Sequence, residues 1–232
     1  MKLIKTHNED NRKSWLKAVL SSLPTGIRIL DAGAGELQNQ KYCTHLNYVS
    51  QDFCQYHGSI SEHLQEGMQN ESWNTQNIDL VSDITDIPAD SSSFDAILCS
   101  EVLEHVPDPT LALDEFLRLL KPGGILILTA PFSSLVHQAP FHFCTGFSKY
   151  WYEHHLGKRG FTIQKLEPNG NWNLFLKQEI VRLGALERQT KNWAWPFSYI
   201  YILLGLLYFK VRSNTIHDNL GYFGWHCIAI KN

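Results

Sequence analysis

The chain lacks a surplus of either charge. Its 20 lysines and arginines stand against 23 aspartates and glutamates, a formal net charge of -3, which offers no basic surface to a nucleic-acid backbone. It also lacks paired cysteines: Cys43, Cys54, Cys99, Cys144 and Cys227 are scattered with no C-x-x-C among them. Neither a disulfide framework nor a cysteine zinc site is expected, and a reducing cytoplasm fits. The first residues, with Lys2, Lys5, His7, Glu9, Asp10 and Arg12, hold no apolar core of a secretion signal, so a cytoplasmic location is expected. Internal repeats and low-complexity tracts are absent. The uncharged run 193–209 contains Pro196, Ser198 and Gly205 and falls short of the about 20 apolar residues of a membrane span.

What is present suits one substantial core. With 232 residues, 44% hydrophobic and 12% aromatic, a single domain with an elaboration is expected. The stretch Arg28 to Glu36 reads as an apolar strand, a carboxylate at Asp31, and a turn with glycines at Gly33 and Gly35 that leads into a helix start. Glycine there allows a sharp turn and close approach of a ligand to the main chain. A dinucleotide fingerprint wants a third glycine where Gln38 stands, and Asp31 and Glu36 crowd the turn with negative charge. Both features disfavour a phosphate and suit a ligand carrying positive charge, such as a sulfonium.

Asp31, Gly33 and Gly35 resemble the first motif of the class I S-adenosylmethionine-dependent methyltransferases, in their small-molecule (type 11-like) branch, with Leu37 in place of the third glycine. A more specific match is the run Ser93 to Pro109, where a buried strand delivers Ser100 and Glu101 and then turns through Pro107 and Pro109 into a helix. The resemblance covers residues 27–168 well and the last strand more loosely. It implies a Rossmann-like α/β fold: a seven-stranded, mostly parallel sheet with an antiparallel last strand and helices on both faces. It implies S-adenosylmethionine as the cofactor, with the methionine portion at Asp31, Gly33 and Gly35 and the ribose at Asp52, followed by Phe53. Adenine is assigned to Asp83 and Ile84, and the surroundings of the sulfur to Ser100 and Glu101.

The chain in order is consistent with that organisation. Trp15, Leu16, Val19, Leu20 and Leu23 mark an amphipathic helix over 11–23, read as a cover on the sheet. Strands are expected at 47–53, 78–81, 96–99, 124–130, 160–163 and 221–230. Helices are expected at 111–120 and 147–156, and one short helix within 54–77. In open α/β sheets ligands lie beyond the carboxyl ends of the strands, which puts Asp52 at the cleft. An acid at that spacing also suits NAD, so an oxidoreductase is a rival reading.

Past the fifth strand, residues 130–147 form an apolar loop with His137 and His142. A hydroxyl or amine acceptor must lose a proton, and a histidine titrating near neutrality can take it. His137, His142 and His105 are the candidate catalytic residues, with Phe141 and Phe143 as pocket walls. Glu101, Glu104 and His105 match a trio that holds a divalent cation in some quinone O-methyltransferases, a trio also widespread without metal, and no metal is expected. Between the sixth and last strands an extension over 172–215 carries a mixed helix and then the uncharged run. Packing on the domain is the favoured role for that run, with peripheral membrane contact or a homodimer interface as alternatives. The expected reaction is methyl transfer to a small-molecule acceptor, lipid-like or sugar included, and the rival is an inactive cofactor-binding sensor or assembly protein.

Overall fold

Runs of branched apolar residues ending in short turns become strands here, and the sheet they build sets the position of everything else. The computed structural model describes residues 7–58, 72–189, 193, 195–211 and 220–232. The strands are β1 (Arg28–Ala32), β2 (Asn47–Asp52), β3 (Leu80–Val81), β4 (Phe94–Ser100), β5 (Leu120–Pro131), β6 (Phe161–Asn169) and β7 (Gly224–Lys231), and the helices α1 (His7–Ser21), α2 (Pro109–Leu119), α3 (Lys149–Lys158), α4 (Trp172–Gln189) and α5 (Trp195–Val211). The seven strands are ordered β3-β2-β1-β4-β5-β7-β6. β1 pairs in parallel with both β2 and β4, β4 with β5 and β2 with β3, while β7 runs antiparallel to β5. The order reverses between β1 and β4, so a crevice opens at the carboxyl ends of those strands.

Two compact units form: residues 12–167 with 224–232, and residues 1–11 with 168–223. In the first, Leu16 and Leu20 of α1 enter a buried cluster with Ile29, Ala96, Leu98 and Ile127, so α1 covers a face of the sheet. Asp108 caps α2 through the Thr110 amide with Pro109 at the first turn, and Ser148 caps α3 through the Trp151 amide, arrangements that satisfy otherwise orphaned amides. In the second unit α4 and α5 pack closely through glycines. A Cβ on Gly184 would lie 2.2 Å from Ile202 Cδ1, and one on Gly205 3.1 Å from Ile180 Cδ1. Among the described residues one side of α5 is covered: Ser198, Ile202 and Phe209 are buried, while Phe197, Ile200, Tyr201, Leu203, Leu204, Leu207 and Tyr208 are all more than half exposed.

The structure differs from the sequence expectation in two places. No helix follows the glycine turn; turns run to a single 3-10 turn at Gln40–Tyr42. Leu37 holds a left-handed φ of 58°, which breaks the right-handed run a helix needs. β3 is two residues long because the Asp79 carboxylate takes the Ser50 amide at 2.8 Å and the Ser50 hydroxyl at 2.7 Å, a side chain occupying a ladder position. The short helix expected within 54–77 falls largely on 59–71, outside the described residues.

Candidate functional site

The glycine turn is held from the tip of β2. The Gly33 and Ala34 amides both donate to the Gln51 carbonyl, at 2.9 and 2.8 Å, and the Gly35 amide donates to Asp52 Oδ2 at 2.9 Å. Amides engaged in this way are not aimed at an anion, unlike a phosphate-binding turn. Gly33 has φ 77°, and a Cβ there would sit 2.4 Å from Val102 Cγ2; at Gly35 a Cβ would meet the Trp73 ring at 2.9 Å. Val102 follows Glu101 past β4, so two strand tips meet over Gly33.

The acids are placed at successive tips. Asp31 is buried, takes the Tyr48 hydroxyl at 2.6 Å, and is pushed by burial up to about 6, against the hydrogen bonds from Tyr48 and Asn39. Asp52 is buried too, and its Oδ1 accepts the Cys54 amide at 2.8 Å. Its neighbour Phe53 stands edge-on to Phe141 at 5.0 Å. Asp83 is exposed, with Oδ1 accepting the Thr85 amide and hydroxyl at 2.8 and 2.7 Å, beside the buried Ile84. The tips of β2 and β3 are tied by Gln51 Nε2 to the Ser82 carbonyl at 2.8 Å.

Ser100 and Glu101 end β4 in a relay. Thr129 Oγ1 donates to Glu101 Oε1 at 2.9 Å and takes Ser100 Oγ at 2.9 Å. Arg12 of α1 closes the chain on Glu101 Oε2 at 2.8 Å. Glu101 holds φ 57°, a left-handed turn that swings the chain from the strand into the 3-10 turn Leu103–His105. Glu104 is 1% exposed with Oε2 lacking a hydrogen-bond partner; burial first, and the Glu101 charge second, hold its carboxyl well above the usual range.

The loop after β5 is stitched onto that turn. The Phe143 and Cys144 amides donate to the Glu104 carbonyl at 2.9 and 3.1 Å, and His105 Nδ1 bonds the Phe141 carbonyl. At its neck the Ser134 amide and hydroxyl reach the Thr145 carbonyl. The result brings His105, His137 and His142 together, with one nitrogen from each within 4.8 Å of the others. Burial pushes His105 down to about 4, helped by His137 and His142, and burial also lowers His142. Phe141 packs on Phe53 and Tyr56, while Phe143 is half exposed.

The expected residues therefore fall into three groups: Asp31, Gly33, Gly35, Asp52 and Phe53 around the glycine turn, Ser100 and Glu101 at the β4 tip, and the histidines on the facing loop. Asp83 and Ile84 follow the tip of β3. Glu101, Glu104 and His105 do not gather as a ligand set, since both Glu101 oxygens are bonded to Thr129 and Arg12. Arg12, Gln51, Thr129, Trp73 and Val102 are not among the site residues read from the sequence. A lone arginine in a helix reads as a solvated charge, and only the fold brings it to Glu101.

Comparison with known proteins bears on the domain and the fold. A family profile described as a methyltransferase domain matches residues 30–128. A ubiquinone biosynthesis O-methyltransferase of Xanthomonas oryzae pv. oryzae is 52% identical over 50 residues, 21% of this chain and 21% of that one. A demethylmenaquinone methyltransferase of Clavibacter sepedonicus is 36% identical over 123 residues, 51% of this chain and 47% of that one. The chain thus spans from about a fifth to about half the length of these curated relatives. In fold it is similar to the [4+2]-cyclase SpnF, with TM-score 0.57 at 21% identity over 95% of this chain and 80% of that one. It is likewise similar to a putative sarcosine dimethylglycine methyltransferase from Galdieria sulphuraria, with TM-score 0.56 at 16% identity over 97% of this chain and 84% of that one.

Proposed function

The chain carries a class I S-adenosylmethionine-dependent methyltransferase domain, and from that premise we propose that it moves the cofactor's methyl group to a small-molecule acceptor and releases S-adenosylhomocysteine. The observation that carries the reading is the placement of buried carboxylates and an anion-averse glycine turn at the β1 and β2 tips, with the loop that gathers three histidines packed alongside through Phe53 and Phe141. Asp31, Gly33 and Gly35 hold the methionine portion of the cofactor. Asp52 and Phe53 take the ribose side, Asp83 and Ile84 the adenine, and Ser100 and Glu101 the sulfur. In-line displacement at a methyl carbon asks the protein chiefly for alignment, and Arg12 and Thr129 fix Glu101 for that purpose. His105, His137 and His142 line the acceptor side, where the acceptor's proton is lost. The printed names of the relatives point to an oxygen-bearing ring of the quinone class as the acceptor to try first.

α5 is the contact helix of this proposal. Among the described residues no helix is long and apolar enough to cross a membrane, but the exposed Phe197, Tyr201, Leu204 and Tyr208 suit a helix lying in a membrane surface, where a lipid-like acceptor is met. Flotation with anionic vesicles tests this, and a dimer that forms without vesicles and hides the same face would overturn it. The reaction is tested by incubating the chain with S-adenosylmethionine and a panel of hydroxylated aromatic acceptors and measuring S-adenosylhomocysteine. Tight cofactor binding with no product from any acceptor would favour a sensor instead.

A further inference from the structure

We propose that His105, His137 and His142 form a three-imidazole site for a divalent transition-metal ion of the zinc class, with an open coordination position toward the acceptor side. One nitrogen from each ring lies within 4.8 Å of the others, and the ring centroids of His137 are 4.6 Å from His105 and 4.7 Å from His142. Zinc–nitrogen bonds of about 2.0–2.1 Å set tetrahedral ligand nitrogens roughly 3.4 Å apart, so a closure of at most about 1.5 Å completes the set.

The tautomers are already chosen. A carbonyl oxygen can only accept, so the bonds from His105 Nδ1 to the Phe141 carbonyl and from His137 Nδ1 to the Leu135 carbonyl put the proton on Nδ1. Each Nε2 is left with its lone pair free. This is the usual outer support of a metal-bound histidine. Neither ring nitrogen of His142 has a hydrogen-bond partner. Three part-buried rings this close together can offer their free lone pairs to one shared cation.

A second observation also points to a cation. Glu104 is 1% exposed, its Oε1 lies 3.8 Å from His105 Nε2, and its Oε2 has no partner. A dication beside it would give that unpartnered buried oxygen an electrostatic partner. Nitrogen ligands favour zinc, cobalt, nickel or copper over magnesium, which demands oxygen. An acceptor hydroxyl would fill the open position and lose its proton to solvent more readily there. That use of the ion rests on the methyl-transfer reading; the binding site itself does not.

The test is a titration of the untagged chain, stripped by chelator, with Co²⁺ read by visible absorption and Zn²⁺ read by competition. One Co²⁺ per chain is expected, displaced by Zn²⁺ and not by excess Mg²⁺. His137→Ala and His142→Ala, with His142→Gln as the milder change, should each weaken binding by about tenfold or more, while His154→Ala leaves it unchanged. Melting curves and S-adenosylmethionine affinity on the same variants report whether the fold persists. Binding that survives loss of all three rings, a preference for Mg²⁺, or no saturable binding would overturn the site. Intact Co²⁺ binding in a chain that methylates nothing would leave the site standing and sink only the proposed reaction.

Discussion

At the β1–β2 end of the cleft, the Gly33, Ala34 and Gly35 amides and the Asp31 and Asp52 carboxylates all have hydrogen-bond partners within a few residues of the strand tips. At the histidine end, both nitrogens of His142 and Oε2 of Glu104 have none. Buried polar atoms are normally paired, so the two ends have different tasks. The first is a finished scaffold, shaped before any ligand arrives. The second holds donor atoms in reserve, and a ligand is what completes it.

The scaffold reading is broken most severely at Asp52. Asp52→Ala strips the Gly35 and Cys54 amides of their acceptor, at about 1–3 kcal/mol for each buried amide. Both the melting temperature and the cofactor affinity should fall, and a calorimetric titration showing neither would remove Asp52 from the ribose. Gly33→Ala comes next. Its Cβ would meet Val102 Cγ2 at 2.4 Å in a left-handed residue, costing about 1–3 kcal/mol from crowding and about 1 kcal/mol or more from the backbone. Adding Val102→Ala should return the crowding part only, as read by melting curves of the single and double variants.

Acidification should separate the two ends without mutation. Asp31 is pushed up to about 6 by burial, so it gains a proton as pH falls through that value and loses its pull on a cationic ligand. Affinity for S-adenosylmethionine should drop up to tenfold per pH unit below about 6. In the free protein the sign is opposite: the raised carboxyl favours folding below its ordinary 3.8, and that contribution is lost as pH rises through about 6. His105, pushed down to about 4 from 6.5, favours folding above 6.5 and loses that as pH falls through about 4. The smallest effect is expected at Leu37→Gly. Relief of its φ of 58° should raise stability by ~1 kcal/mol, measured by denaturant unfolding.

The sheet was largely legible in the sequence because its strands are apolar runs closed by turn residues, as at Arg28–Ala32 and Phe94–Ser100. The helix absent after Gly35 was not, because a leucine in a left-handed conformation leaves no mark in composition. The acids at the strand tips followed from order along the chain. The meeting of His105 with His137 and His142 did not, since it depends on backbone bonds from Phe143 and Cys144 back to Glu104, and such pairings have no periodicity to read. Nor did periodicity disclose Arg12, whose partner Glu101 is 89 residues away.

One consequence concerns the ribosome. β7 is made after β6, α4 and α5, yet it lies between β5 and β6. During synthesis the outer edge of β5 therefore has no pairing strand until residues 224–231 emerge, and β6 has no neighbour at all. Hydrogen exchange on nascent chains stalled before Gly224 should find the Ile125–Pro131 edge open, a stretch of growth in which a half-made sheet is exposed to pairing with its own kind.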